Sequence, residues 1–334
     1  ILFENRLSID VSYYNKRIYN QLVSASRTPA SGISSIYLNS DEERARRGWD
    51  VVVGVTPVKN QDFQWDLTFN WGTFKEIYTK IDSVNTRNVD RDWVAEGKRT
   101  DFQTIQDFEY EPGTGALIWQ NGLPKRSSIY TFYGYRLPDW QWGVSTSLRY
   151  KDFSLFMSLD GVVGGLMNTV TESYMWQAGV HPESVTETRA QDVADPSTKH
   201  YIGEGVMVVS GSATYDVSGN ILTDDRVFAP NDVPVYYQDA TRRLHASSVW
   251  GGTPTPNDIY ERTFLKLREI SLTYTVPNKV LSNWGPVKGA SISFVGQNVL
   301  FWAKDFEYSD PDGGSEDFSD PSVRYLGGNI KVSF

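Results

Sequence analysis

Strict alternation of apolar and polar residues organises this chain. In FQWDLTFNWG, Phe63, Trp65, Leu67, Phe69 and Trp71 alternate with Gln64, Asp66, Thr68, Asn70 and Gly72. Such a run of period two predicts a strand with one apolar and one polar face. The same alternation places Leu7, Ile9, Val11 and Tyr13 on one side, then Trp49, Val51, Val53 and Val55. It returns with Trp142, Val144, Thr146, Leu148 and Tyr150, then with Phe153, Leu155, Met157 and Leu159. Later strands are predicted at 270–276, around Ile292 and Phe294, and at the end, where Ile330, Val332 and Phe334 alternate with Asn329, Lys331 and Ser333. About eight long strands result, and the fold class is all-β.

The connections alternate in length. Short ones at 57–62, 151–152 and 277–289 separate long ones at 19–46, 76–139, 164–262 and 303–322. Antiparallel strands with tight turns at one end and large loops at the other fit a transmembrane antiparallel β-barrel. A sandwich gives no reason for that segregation. Asp10, Asp50, Asp66, Asn70, Arg149, Asp160 and Glu269 all fall on the polar side. A wet lumen holds such charges directly, whereas a sandwich must keep them on its solvent face. The stretch 164–262 is too long for a structureless loop and is expected to fold as an excursion, with a hairpin turn at Asp216 and Ser218-Gly219-Asn220.

Composition adds limits. Aromatic residues make up 14% of the chain, a load that suits strands, sugar-binding surfaces and membrane-interface belts alike. A net charge of −9 argues against a nucleic-acid partner, and the lack of cysteine removes disulfides and thiolate metal sites. No window approaches the roughly 18 apolar residues of a membrane helix, which says nothing against a barrel. The opening ILFENRLSID has no signal-peptide pattern and reads as the lead-in to a strand.

Catalytic patterns are missing, so no enzyme is expected. His181, His200 and His245 lie far apart in sequence without metal-ligand spacing, and no nucleophile or phosphate-loop motif occurs. Two binding features remain. The acidic run 305–320 contains Asp310, Asp312, Glu316 and Asp317, a candidate Ca²⁺ site by ligand type, although its spacing is not that of an EF-hand and such an acidic loop is usually a solvated turn. Trp119, Tyr174, Trp176, Tyr236, Tyr237 and Trp250 fall in long polar loops, where they are candidates to stack on a sugar or peptide or to pack the loops into a cap.

Several stretches together resemble the SusC/RagA family of TonB-dependent outer-membrane transporters of the Bacteroidetes. They are RRGWDVVVGVTPVKNQDFQWDLTFNWGTFK at 46–75, GTGALIWQNGLP at 113–124, LPDWQWGVSTSLRYKDFSLFMSLDG at 137–161, FLKLREISLTYTVP at 264–277 and GQNVLFWAKDFEYSDPD at 296–312. They occur in family order and span nearly all of the chain. The resemblance implies that residues 1–334 are the C-terminal part of a plugged barrel of about 22 strands. The plug, TonB box and earlier strands are then expected outside this chain. It also implies a SusD-like surface lipoprotein as lid, TonB as motor, an oligosaccharide or peptide as cargo, and lipid or lipopolysaccharide around the wall. Long loops are expected outside the cell and the C-terminus in the periplasm, with Ile330, Val332 and Phe334 on a barrel-closing last strand. Two alternatives stay open at this point: a self-contained eight-stranded membrane barrel, and a secreted β-rich protein that binds or cleaves glycans.

Overall fold

The computed structural model describes residues 6–245, 254–313, 316 and 322–334. Its main element is one eight-stranded sheet. The strands are β1 (Leu7–Ile18), β2 (Glu43–Lys59), β3 (Phe63–Lys80), β4 (Trp140–Tyr150), β5 (Phe153–Val163), β6 (Phe264–Thr275), β7 (Gly289–Ala303) and β8 (Tyr325–Ser333). Each pairs antiparallel with its neighbour in sequence, so the sheet is a simple meander.

Register carries the alternation across the whole sheet. Val53, Phe69, Val144, Leu159, Leu267 and Leu300 sit opposite one another in turn, forming one apolar row. The adjacent row runs Asp10, Val52, Asn70, Gly143, Asp160 and Lys266. Because the side-chain period is two, these rows lie on opposite faces. No second sheet covers the apolar face among the described residues: Ile9 and Phe294 are each 55% exposed. A secreted sandwich would bury that face as its core. Nor do the described residues form a self-contained barrel, because among them β1 and β8 each pair on one side only.

Aromatic residues border the apolar face at two levels. Near the short turns, Phe63, Tyr150, Phe153 and Tyr274 are successive cross-strand neighbours, with the Phe153 and Tyr274 rings 4.9 Å apart. Near the long loops, Tyr13 faces Trp49 at 4.9 Å, and Trp71 pairs with Trp142 two residues below on the same face. Thr73, level with Trp49, stands ten residues from Phe63 along β3. That is roughly 33 Å of strand, which a tilt of about 40° shortens to roughly 25 Å, the height of a lipid-facing band.

The predicted segregation of loop lengths holds, with short links at 60–62, 151–152 and 276–288 and long ones at 19–42, 81–139, 164–263 and 304–324. Strands β2 and β3 run further into the long-loop end than alternation indicated. There Arg44, Arg46 and Glu76 pair across the polar face, so ion pairs replace apolar patterning. The excursion 164–263 also contains helices that the strand-based reading did not foresee: α1 (Val170–Ala178), α2 (Glu187–Ala194) and α3 (Tyr237–His245). They are too short to stand alone and are held by mutual packing. The expected hairpin is present, with Ala213–Tyr215 paired to Ile221–Asp224 and Gly219 at φ +92° in the turn.

Candidate functional site

The long loops are joined into one cap. Ile118–Gln120 pairs in parallel with Val206–Ser210, which ties the loop 81–139 to the excursion 164–263. Trp119 anchors the joint. It is 3% exposed, packs with Val235 and Ala240, and donates its indole N–H to the Glu204 carbonyl at 2.9 Å. A Cβ on Gly203 would stand 2.0 Å from the Trp119 ring, so only glycine lets the backbone pass there. Trp119 therefore builds the cap and is not available to stack on a ligand. Trp119→Phe keeps one aromatic ring but loses the hydrogen bond and part of the buried packing, and is expected to lower stability by about 2–4 kcal/mol in denaturant titration.

Three other predicted aromatics meet. Trp176, Tyr236 and Tyr237 line a cavity of about 350 Å³ between α1, α2 and α3, together with Gln177, Arg189 and Asp192. Arg189 is held by the Gly179 carbonyl at 2.8 Å and Ser184 Oγ at 2.7 Å. Asp192 accepts from the Tyr237 amide at 2.7 Å and meets His200 Nδ1 at 2.9 Å. Burial pushes the Asp192 carboxyl up, but these partners outweigh it and hold the group below its ordinary range. Gln177 Nε2 is buried without a hydrogen-bond partner. The cavity thus offers ring faces and fixed polar groups, the lining expected for a small polar ligand or side chain. Tyr174 is half-buried on α1 and does not line it. Trp250 lies outside the described residues.

Histidines far apart in sequence also converge. Trp176 is stacked between His181 at 4.1 Å and His245 at 4.3 Å. His181 Nδ1 accepts the Glu183 amide at 3.2 Å, and its Nε2 lies 3.3 Å from Glu172. Sequence spacing could not show this, because the contact joins the ends of two different helices.

The acidic run is neutralised by the wall rather than clustered for a cation. Lys266, on the polar face of β6, is 1% exposed and meets Asp310, Asp312 at 3.1 Å and Ser322 at 2.6 Å. Arg268 spans Asp160 at 2.7 Å and Asp312, with 2.7 Å between Nη2 and Oδ1. A bulge at Leu267/Glu269 frees Arg268 from the alternation and aims it inward. Arg262 donates to the Pro311 and Asp312 carbonyls at 2.9 and 3.0 Å. Glu316 accepts the amides of Val170 and Thr171 at the start of α1. These partners balance Asp310, Asp312 and Glu316 within the protein. No acidic or histidine group of three is placed for a metal among the described residues, and Asp317 lies outside them.

The Arg268 hydrogen bonds, helped by Lys266 and opposed by burial, hold the Asp312 carboxyl down to about 2. A depressed folded value stabilises above the ordinary carboxylate range and is lost as pH falls through the folded one. The clamp is therefore expected to hold unchanged from pH 7 to about pH 5 and to weaken progressively as pH falls from there towards 2. Hydrogen exchange at 306–313 followed across that range checks this.

On the inner wall, the clamp residues Asp160, Arg268 and Asp312 border a cavity of about 520 Å³ together with Asp50, Asn70 and Gln141. The inward loop lies on the polar side of the wall, while the apolar face points away.

Comparison with known proteins bears on that arrangement. The TonB-dependent receptor P3 of Formosa agariphila is 23% identical over 340 residues, which cover 93% of this chain and 29% of the relative. In sequence, the chain resembles a TonB-dependent receptor. The RagAB peptide importer in its closed-closed state superposes with a TM-score of 0.60 at 19% identity, covering 99% of this chain and 34% of that one. Its open-open state gives 0.60 at 16% identity over 99% and 33%. The fold is that of the RagA barrel, and the meander is a stretch of barrel wall. The likeness to the SusC/RagA transporters read from the sequence holds. No protein-family model matches the chain. The chain spans about a third of the length of the proteins it matches.

Ile330 and Val332 lie on the apolar face opposite Ile292 and Ala290, and Ile330 is 75% exposed. Phe334 follows β8 and is also exposed.

Proposed function

We propose that this chain supplies the last eight or so strands, and much of the outer cap, of a TonB-dependent outer-membrane importer of roughly 22 strands. The plug and TonB box belong to the rest of the protein, and β8 closes the barrel against a strand outside this chain. The observation that carries the reading is the continuous apolar face bordered by aromatic rows, set against a polar face on which a loop folds inward. The role is transport, not catalysis: the cap holds cargo over the lumen, a SusD-like lipoprotein covers it, and TonB pulls the plug aside. The long loops face outward and the short turns the periplasm. The RagAB proteins are described as a peptide importer, which favours a peptide as cargo, with an oligosaccharide as the alternative.

Uptake by cells carrying or lacking the whole protein tests this. Labelled oligopeptides are expected to accumulate only with the protein present, and a protonophore is expected to stop them. Accumulation of oligosaccharide alone would move the cargo, and release of the protein into buffer without detergent would sink the membrane reading. In the cap, Tyr236→Ala removes a cavity ring and is expected to weaken cargo binding about tenfold by calorimetry. Unchanged binding would take the cavity out of the cargo path.

A further inference from the structure

On the apolar face, immediately above the Tyr13–Trp49 pair, Arg47 of β2 stands directly opposite Lys75 of β3. Like charges in direct cross-strand register repel and weaken a sheet. The nearby carboxylates are engaged elsewhere: Glu43 pairs with Arg17, and Glu76 with Arg44 and Arg46 on the polar face. Both cations are exposed, and with Tyr13, Trp49, Thr73 and Ile77 they border a shallow cavity of about 390 Å³. This places two uncompensated positive charges over an aromatic shelf, on the outside of the wall at its long-loop end.

We propose that Arg47 and Lys75 form a binding site for the phosphate of a phosphorylated glycolipid in the outer leaflet. The proposal rests on the membrane reading given above. A phosphate accepts from the guanidinium and the ammonium together and turns their repulsion into a bridge. Below it, the Tyr13 and Trp49 rings lie at the headgroup boundary, where the sugar and first acyl carbons of such a lipid sit. The opposite rim of the apolar face, at Phe63, Tyr150, Phe153 and Tyr274, offers aromatic rings without a matching cation pair in register. The site is therefore specific to the leaflet reached by the long loops.

The test uses the complete transporter in phospholipid nanodiscs, probed with bis-phosphorylated lipid A and with the same lipid A stripped of phosphate. Native mass spectrometry reads the lipid retained. Wild type is expected to prefer the phosphorylated form at least about tenfold. Arg47→Gln combined with Lys75→Gln is expected to abolish the preference, and Lys59→Gln at the other end of β2 to keep it. A heat-modifiable folded band in each variant shows that the barrel is intact. Equal retention by the double variant, or no preference in wild type that has entered the disc, overturns the proposal alone. Displacement of the lipid by millimolar inorganic phosphate overturns it too, by making the site one for free anions. Failure of wild type to enter the disc overturns the membrane reading, and this proposal with it.

Discussion

Lys266→Met is expected to destabilise the inner wall by about 3–5 kcal/mol and to release the loop 304–324 from it. The ammonium is buried and serves Asp310, Asp312 and Ser322 together. Methionine fills similar space but leaves Asp310 without a cation and Asp312 with Arg268 alone. Most of the cost is the uncompensated carboxylate left behind. Adding Asp310→Asn is therefore expected to recover a large part of the loss. Protease cleavage within the loop and hydrogen exchange at 306–313 report its release. If the single variant keeps wild-type protection, the clamp does not hold the loop.

Phe69→Arg is expected to cost about 2–4 kcal/mol in urea unfolding from vesicles. Phe69 lies on the apolar face between Val53 and Val144, inside the band bordered by the two aromatic levels. An arginine there must reach past several apolar neighbours to find water or headgroups. Thr68→Arg, one residue away, turns to the polar face and is expected to cost under about 1 kcal/mol. Equal costs for the two would mean that the faces do not see different solvents.

These two sites differ in how far the sequence revealed them. The Phe69 environment was legible because alternation is local: each strand carries its own two faces, and register only had to line them up. The order of short and long connections gave the meander for the same reason. Lys266 was not legible as a clamp, since its partners lie 44 to 56 positions away and nothing local marks them. Arg268 was hidden by a bulge that shifts the alternation by one. Among the loop aromatics, sequence gave the residue type but not its burial. Trp119 became a core residue because two glycines and Val235 close on it, while Tyr236 and Tyr237 kept an open side. Trp176 lines the cavity with its ring stacked on two histidines, a contact that no local pattern marks. The helices escaped notice because their stability comes from contacts with one another.

The parallel pairing of Ile118–Gln120 with Val206–Ser210 sets an order of events. It joins segments borne on different hairpins, with the whole of β4 and β5 between them in sequence. Each half has an antiparallel partner in its own loop, but this pairing forms only when both hairpins have delivered their loops to the same side, so the knot is tied after the wall is laid. In the importer proposed above, a chain inserting strand by strand would carry these loops across as open polymer, with Trp119 still wet. The cap then cures in a single late step, and once set, neither loop can lift without the other.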